Sequence, residues 1–422
     1  MPRMACRKKG STGRAIIAIF RQMKRFIPYA RQAIDQSDID AVVEVLKSDF
    51  LTTGPAIDDF EAAFSGFVGG GVETVSCSSG TAALHLAYAA LGFGPGDAVI
   101  VPSVTFVATA NAARLCGAEV IFADTDPVTG LMTVETAEDA LNRALPEVTV
   151  RAIAPVHLNG QPCDMPGLAA FAEKHDLSIV VDGCHALGSS NAGAGLVGDG
   201  RFGEITTFSF HPVKAIAMGE GGAVTTADPV IAKSLRRLRS HGLTRDPDDY
   251  TGPFVDAPGN GRDAPWFYEM PDVGLNYRAS DIHAALGLSQ MKRLPAFIAA
   301  RRTLHETYDA LFAADRDVVA SPIRFDPAAL ALHLYPVLID FEKNQTSRTR
   351  VMKRLRDKGV GTQVHYIPVH KQPYYIHRYG DRTLPGAETY YDRALSIPYF
   401  VGLQTDEQAY VVEALREAIK PE

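Results

Sequence analysis

From Ile27 onward, apolar positions recur at two spacings whose alternation predicts an α/β protein. Apolar residues at helical spacing behind a polar start predict a helix over 38–46, and a second over 57–67 follows the Thr53-Gly54-Pro55 break. Short apolar runs predict strands over 74–77, 98–101, 120–123, 151–155 and 178–182, with helices over 81–91, 109–116 and 165–175 between them. This alternation implies a mainly parallel sheet with helices on both faces. Strands over 205–210 and 222–226, joined by a Gly-rich link, precede a basic helix over 231–240. The stretch 244–266 is rich in Asp, Pro and Gly and reads as a long surface loop or lid. A helix from 280 to about 312 leads to a smaller C-terminal α+β domain, with strands over 332–339 and 363–366 and helices over 346–358 and 407–419. The expected division is a disordered basic extension over 1–26, a large domain over 27–279, and a linking helix with a small domain over 280–422.

The chain has 422 residues and a net charge of −7, long enough that two domains are expected. Nine basic residues precede the first acid, Asp35, which leaves 33 basic against 49 acidic residues, a net of −16, in the rest. An acidic body argues against a nucleic-acid binder, since phosphate neutralisation needs a positive surface. No apolar run approaches the length of a membrane span, so no membrane role is expected. Five scattered Cys show no metal-ligand spacing and read as reduced thiols of a cytoplasmic protein, with no metal expected.

Candidate chemistry gathers where strands end. Lys214, in Ser209-Phe210-His211-Pro212-Val213-Lys214, is flanked by Ala215-Ile216-Ala217. A lysine among apolar neighbours has a depressed pKa and a nucleophilic amine suited to a Schiff base, although an isolated one is more often a surface residue. Asp182 ends an apolar strand, where α/β proteins place ligands; it is either a helix cap or an acid that keeps a pyridine nitrogen protonated. His185 lies three residues on. Ser79, Gly80 and Thr81 form a small-residue turn at a helix start, a site for an anion such as phosphate or a simple cap. Ser209 adds a hydroxyl, Phe106 a face for stacking or for the core, and Asn276 and Arg278 a polar start to the long helix.

In this order the motifs resemble those of the DegT/DnrJ/EryC1/StrS sugar aminotransferases, fold-type I pyridoxal-phosphate enzymes. The resemblance begins near Ile27. It rests on Leu51-Thr52-Thr53-Gly54-Pro55, Ser79-Gly80-Thr81-Ala82-Ala83-Leu84, Thr105-Phe106-Val107-Ala108, Asp182-Gly183-Cys184-His185-Ala186-Leu187-Gly188, Ser209–Lys214 with Glu220-Gly221-Gly222, and Asn276-Tyr277-Arg278. It implies that Lys214 is the Schiff-base lysine and proton shuttle, that Asp182 pairs with the pyridinium, and that His185 lies beside the cofactor. It further implies that Phe106 stacks on the ring, that Ser79, Gly80, Thr81 and Ser209 hold the phosphate, and that Asn276 reaches the partner's phosphate in a homodimer with shared active sites. The segments Arg239-Ser240-His241-Gly242 and Gln363-Val364-His365-Tyr366-Ile367-Pro368-Val369-His370 are most similar to members acting in pseudaminic acid-type nucleotide-sugar biosynthesis. The implied reaction transfers an amino group from L-glutamate to a UDP-4-keto-6-deoxy-N-acetylhexosamine, with His365, Tyr366 and His370 on the sugar side. Other 4-keto or 3-keto nucleotide sugars are the alternative; a cofactor-binding regulator without turnover is a third reading. Cys184 stands where the family usually has Ala or Ser.

Overall fold

A seven-stranded sheet, a three-stranded sheet and a 32-residue helix between them organise the chain. The computed structural model describes residues 26–191, 194–257, 259, 261–315, 317–323, 326 and 329–421. The expected disordered extension over 1–26 lies outside these residues except for Phe26.

The large sheet comprises β1 (Glu73–Cys77), β2 (Asp97–Pro102), β3 (Glu119–Ala123), β4 (Thr149–Ile153), β5 (Ser178–Asp182), β6 (Ile205–Ser209) and β7 (Gly222–Thr226). Their order is β1-β7-β6-β5-β4-β2-β3. Only β7 runs against its neighbours, β1 and β6; the remaining pairs are parallel. The other six strands therefore point one way, and their carboxyl ends share one edge. The small sheet pairs β8 (Val318–Ala320), β9 (Tyr335–Ile339) and β10 (Ala394–Ile397) antiparallel, in the order β10-β9-β8.

The helices are α1 (Gln36–Lys47), α2 (Pro55–Val68), α3 (Gly80–Ala90), α4 (Ala108–Leu115), α5 (Val134–Asn142), α6 (Met165–Lys174), α7 (Pro229–Leu238), α8 (Asp281–Phe312), α9 (Arg348–Asp357), α10 (Pro373–Tyr379), α11 (Pro385–Arg393) and α12 (Thr405–Ala418). Their starts carry the expected chemistry: Ser79 accepts from Ala82 N–H at α3, and Ser280 from His283 N–H at α8. Asp281 is shared, since its carboxylate also accepts from Gly54 and Ala56 N–H and so caps α2.

Three apolar cores result. One surrounds β2–β5 and α3–α6, and another joins the end of α8 to β8–β10, α9 and α12. The third packs Phe60 and Phe64 of α2 edge-on against Phe208 and Phe210, together with Ile216, Met218 and the first half of α8. It lies beneath the turn that carries Lys214 and gives that turn a rigid floor.

The structure adds β8, β10, α5, α10 and α11 to the sequence expectation. It also redraws two strands. The expected strand over 332–339 begins only at Tyr335, because the residues before it bond elsewhere: His333 N–H donates to Asn159 O at 2.8 Å and Ala331 N–H to Ser189 Oγ at 2.8 Å. The expected strand over 363–366 makes a single bridge, Gln363 to Ser396, and then departs; Pro368, which has no N–H, cannot extend a ladder. The described residues of the stretch 244–266 form a loop, as expected, with one 3-10 turn at Pro247–Asp249. The ends of the loop are drawn together by the Thr244–Glu269 bridge, and the Glu269 carboxylate accepts from Thr251 and Gly252 N–H.

Candidate active site

Four of the aligned strands, β1, β2, β5 and β6, deliver their following residues to one cavity of about 600 Å³. Asp182 comes from the end of β5, Phe106 from the stretch after β2, and Ser79–Thr81 from the β1–α3 turn. Ser209 ends β6, with Lys214 five residues beyond. This is the edge where open α/β sheets bind ligands.

Asp182 is 5 % exposed. Its Oδ2 accepts from Thr109 Oγ1 at 2.7 Å and its Oδ1 from Cys184 N–H at 3.1 Å. Because the Thr109 proton goes to the carboxylate, Thr105 Oγ1 donates to Thr109 across 2.8 Å. These neutral donors orient the carboxylate without cancelling its charge. Lys214 closes a turn by donating its N–H to His211 O at 2.8 Å. Burial lowers the pKa of its ammonium, and the nearby Asp182 carboxylate opposes that shift. The result is an amine that gives up its proton more readily than a surface lysine. Burial likewise pushes the Cys184 thiol well above its ordinary range, so it lines the cavity as a neutral group.

The anion cradle depends on missing side chains. A Cβ on Gly80 would stand 2.7 Å from Ser209 Cβ, and one on Gly222 would stand 2.3 Å from Ser79 O. Glycine at both positions lets β6, β7 and the α3 start close together, which sets the Ser209 hydroxyl beside the first N–H groups of α3. Those N–H groups have no acceptor within the helix and carry its positive dipole end. Phe106 is 55 % exposed, an aromatic face open to a planar ligand.

Three buried histidines line the cavity: His185, His333 and His365. The His185 and His333 rings lie 4.5 Å apart. Burial presses down all three pKa values, that of His365 to about 3, so the rings are neutral near pH 7. His365 Nδ1 lies 2.8 Å from Ser396 Oγ, and Tyr366 Oη 3.2 Å from His185 Nε2.

Arg278 is not part of the cavity lining, and two of the site residues implied by the resemblance also stand apart from it. His370 is buried between Ser103 and Glu388, at the wall of a second hollow beside Glu119 and Arg378. Its backbone follows Val369, whose N–H is tied to Ser103 O at 2.8 Å, so the ring is drawn behind β2 and not toward a ligand in the first cavity. Asn276 is exposed and bridged to Ser240, while Tyr277 O accepts from Ser78 N–H at 2.7 Å next to the cradle. Conversely, Tyr29 and His333 line the cavity without having been singled out from sequence. His333 carried a signal, a histidine within the apolar run 330–335; Tyr29 carried none.

An amine of lowered pKa, a buried carboxylate, an open aromatic face and a helix start beside a hydroxyl suit the aldehyde, ring nitrogen, ring and phosphate of pyridoxal phosphate. Comparison with known proteins agrees. Residues 32–416 match the model of the DegT/DnrJ/EryC1/StrS aminotransferase family. The spore coat polysaccharide biosynthesis protein SpsC of Bacillus subtilis is 35 % identical over 398 residues, covering 94 % of this chain and 97 % of that protein. Among solved structures, Helicobacter pylori PseC, an aminotransferase involved in the biosynthesis of pseudoaminic acid, superposes with a TM-score of 0.82 at 28 % identity, covering 94 % of this chain and 99 % of PseC. The PLP form of the putative sugar aminotransferase Spr1654 of Streptococcus pneumoniae gives 0.81 at 28 % identity, covering 93 % and 98 %. The chain belongs to the DegT/DnrJ/EryC1/StrS aminotransferase family and is a fold-type I, pyridoxal-phosphate-dependent sugar aminotransferase.

Proposed function

We propose that the chain transfers the amino group of L-glutamate to a UDP-4-keto-6-deoxy-N-acetylhexosamine, in the manner of pseudaminic acid-type nucleotide-sugar biosynthesis. The observation that carries the reading is the placement of Lys214 and Asp182 in one cavity with the 363–367 segment, which resembles its counterpart in that branch of the family. The similarity to PseC over nearly the whole of both chains supports the same branch. Pyridoxal phosphate supplies the aldehyde that exchanges amines and a ring that takes up charge when a carbon gives up its proton. Lys214 Nζ would accept that proton from the amino donor and hold it for return, a role that needs an amine of lowered pKa held in a fixed turn. Asp182, oriented by Thr109 and Cys184 N–H, keeps the ring nitrogen protonated. Gly80, Thr81 and Ser209 anchor the phosphate, and Phe106 holds the ring plane. We place the sugar against His365 and Tyr366. The active unit in this reading is a homodimer in which exposed Asn276 reaches the partner's phosphate; large exposed side chains near it, Met270, Val273 and Leu275, supply apolar surface for that contact.

A second reading, amination of another 4-keto or 3-keto nucleotide sugar, is favoured by the higher identity to SpsC, whose name places it in spore coat polysaccharide biosynthesis. Turnover with L-glutamate against a panel of UDP- and dTDP-keto sugars, with the amine position read by NMR, separates the two. Exclusive amination at C4 of UDP-N-acetyl sugars supports the first. Preference for a dTDP sugar or for C3 refutes it, and a bound cofactor without any product refutes both. Lys214→Ala should lose both turnover and the visible absorbance of the lysine-bound cofactor; an active Lys214→Ala protein would overturn the lysine's role.

A further inference from the structure

A run of hydrogen bonds behind the cavity determines which way Tyr366 can donate. Asn159 has left-handed backbone torsions (φ 61°, ψ 4°), which point its N–H at His185 Nδ1 across 3.3 Å. The Asn159–Gly160 stretch is held by further hydrogen bonds. Asn159 O accepts from His333 N–H at 2.8 Å, and Ser189 Oγ donates to Gly160 O at 2.6 Å while accepting from Ala331 N–H at 2.8 Å. A Cβ on Gly160 would meet Ala331 O at 2.6 Å, so the two segments are in direct contact.

A backbone N–H can only donate, so Nδ1 must be the bare nitrogen and the neutral ring carries its hydrogen on Nε2. Burial, with Lys214 and His365 close by, keeps the ring neutral. Nε2–H therefore donates to Tyr366 Oη, 3.2 Å away. The phenol keeps its own hydrogen, because burial pushes its pKa well above the ordinary value. No acceptor among the described residues takes that hydrogen, and Tyr366 lines the cavity with its ring 5.9 Å from that of Phe106.

We infer that Tyr366 donates a hydrogen bond to the carbonyl oxygen of the keto substrate, and that the Asn159 N–H and His185 act through it as positioning groups that commit the phenol to donating. The inference rests on the keto-substrate reading given above. A ketone oxygen only accepts, whereas the amine that replaces it is mainly a donor. The same phenol thus favours the substrate and polarises it toward amine attack, while offering the amino product a poorer partner.

The test combines three measurements on the holoenzyme. With 15N-labelled histidine, His185 should show a bare Nδ1 and a protonated Nε2; a protonated Nδ1 overturns the inference. Tyr366→Phe should lower kcat/KM for the accepted keto sugar by about tenfold to a hundredfold, as expected for one lost hydrogen bond at a buried site. Its resting visible absorbance and the pH midpoint of that absorbance should stay those of the wild type. An unchanged kcat/KM, or a shifted resting absorbance showing that the phenol serves the cofactor, refutes the assignment. His185→Gln can accept from Asn159 N–H through its oxygen and donate through its nitrogen, so it should lose less activity than His185→Leu; equal losses count against the positioning role. The reverse half-reaction with a 2-oxo acid supplies a second carbonyl. Refusal of every keto sugar would therefore sink the proposed sugar substrate while Tyr366→Phe was still decided.

Discussion

Replacing Gly80 by Ala tests whether the phosphate cradle depends on the close approach of α3 and β6. The new Cβ would stand 2.7 Å from Ser209 Cβ and 3.1 Å from its Oγ, against the ~3.5–4.0 Å of ordinary carbon contacts. Ser209 would have to retreat by ~1 Å, and its backbone has little freedom. It pairs with Gly222, whose own missing Cβ already leaves the strand against Ser79 O. The strain should therefore turn the Ser209 hydroxyl away from the phosphate. One hydrogen bond to a charged group is worth about 1.5–3 kcal/mol, so the cofactor Kd should rise roughly 10- to 150-fold. Overpacking of this kind also costs about 1–3 kcal/mol of stability, which thermal unfolding of the apoprotein would register separately. Titration of folded apoprotein with pyridoxal phosphate, followed by absorbance, gives the Kd. A Gly80→Ala protein that is folded and binds within twofold of the wild type would refute the cradle.

Asp182→Asn retains the shape but not the charge of the group proposed to face the ring nitrogen; kcat should fall by about a hundredfold or more, with cofactor binding weakened far less. Equal kcat values for Asp182→Asn and the wild type would remove Asp182 from the mechanism. The pH dependence of stability follows from His157 and His365, whose pKa values burial presses to about 3. An unfolded histidine titrates near ~6.5, so between these limits the unfolded chain binds protons that the folded one refuses. Stability should then fall as pH drops from about 6.5 toward 3, by up to ~1.4 kcal/mol per pH unit for each histidine. His157→Asn can still accept the Cys163 N–H bond that His157 Nδ1 takes at 3.3 Å. It should flatten the slope by up to one proton, read from urea unfolding at pH 5 and pH 7; an unaltered slope would refute the assignment.

The groups legible from sequence alone share one property: each sits at the end of an apolar strand. Asp182 closes the run 178–182, Ser209 closes 205–209, and the Ser79–Thr81 turn follows 73–77, so local patterning also located them in space. Lys214 stood out for a similar reason, having apolar neighbours on one side and a strand on the other. Residues whose placement depends on distant segments were not legible in this way. His333 reaches the cavity because its backbone bonds to Asn159, 174 positions earlier in the chain, and Tyr29 because its carbonyl accepts from Tyr399 N–H at 2.9 Å. The 363–370 motif suggested one sugar-facing group, yet Tyr366 faces the cavity while His370 turns behind β2. That division is made by the Val369–Ser103 hydrogen bond, which no spacing encodes. The short strands β8 and β10 were missed because three and four residues are too few to establish a period.

Charge sharpens the account of how the cavity captures its anions. Beyond Arg31 the chain carries 33 basic and 49 acidic residues, so the general field of the body opposes an incoming phosphate. That opposition reaches only about one Debye length, ~8 Å at physiological salt. In the proposed cradle the relevant groups are the α3 N–H donors and the Ser209 hydroxyl, which would act at contact and be little screened. On the proposed cradle, capture and retention should therefore separate, with the net charge setting the association rate and the local donors the residence time. Stopped-flow binding of pyridoxal phosphate to the apoprotein should show an association rate that is flat or rises as salt increases from low to physiological strength. Gly80→Ala should leave that rate nearly unchanged and speed dissociation. An association rate that falls steeply with added salt would mean that positive groups steer the anion from a distance, and the local cradle would no longer suffice to explain binding.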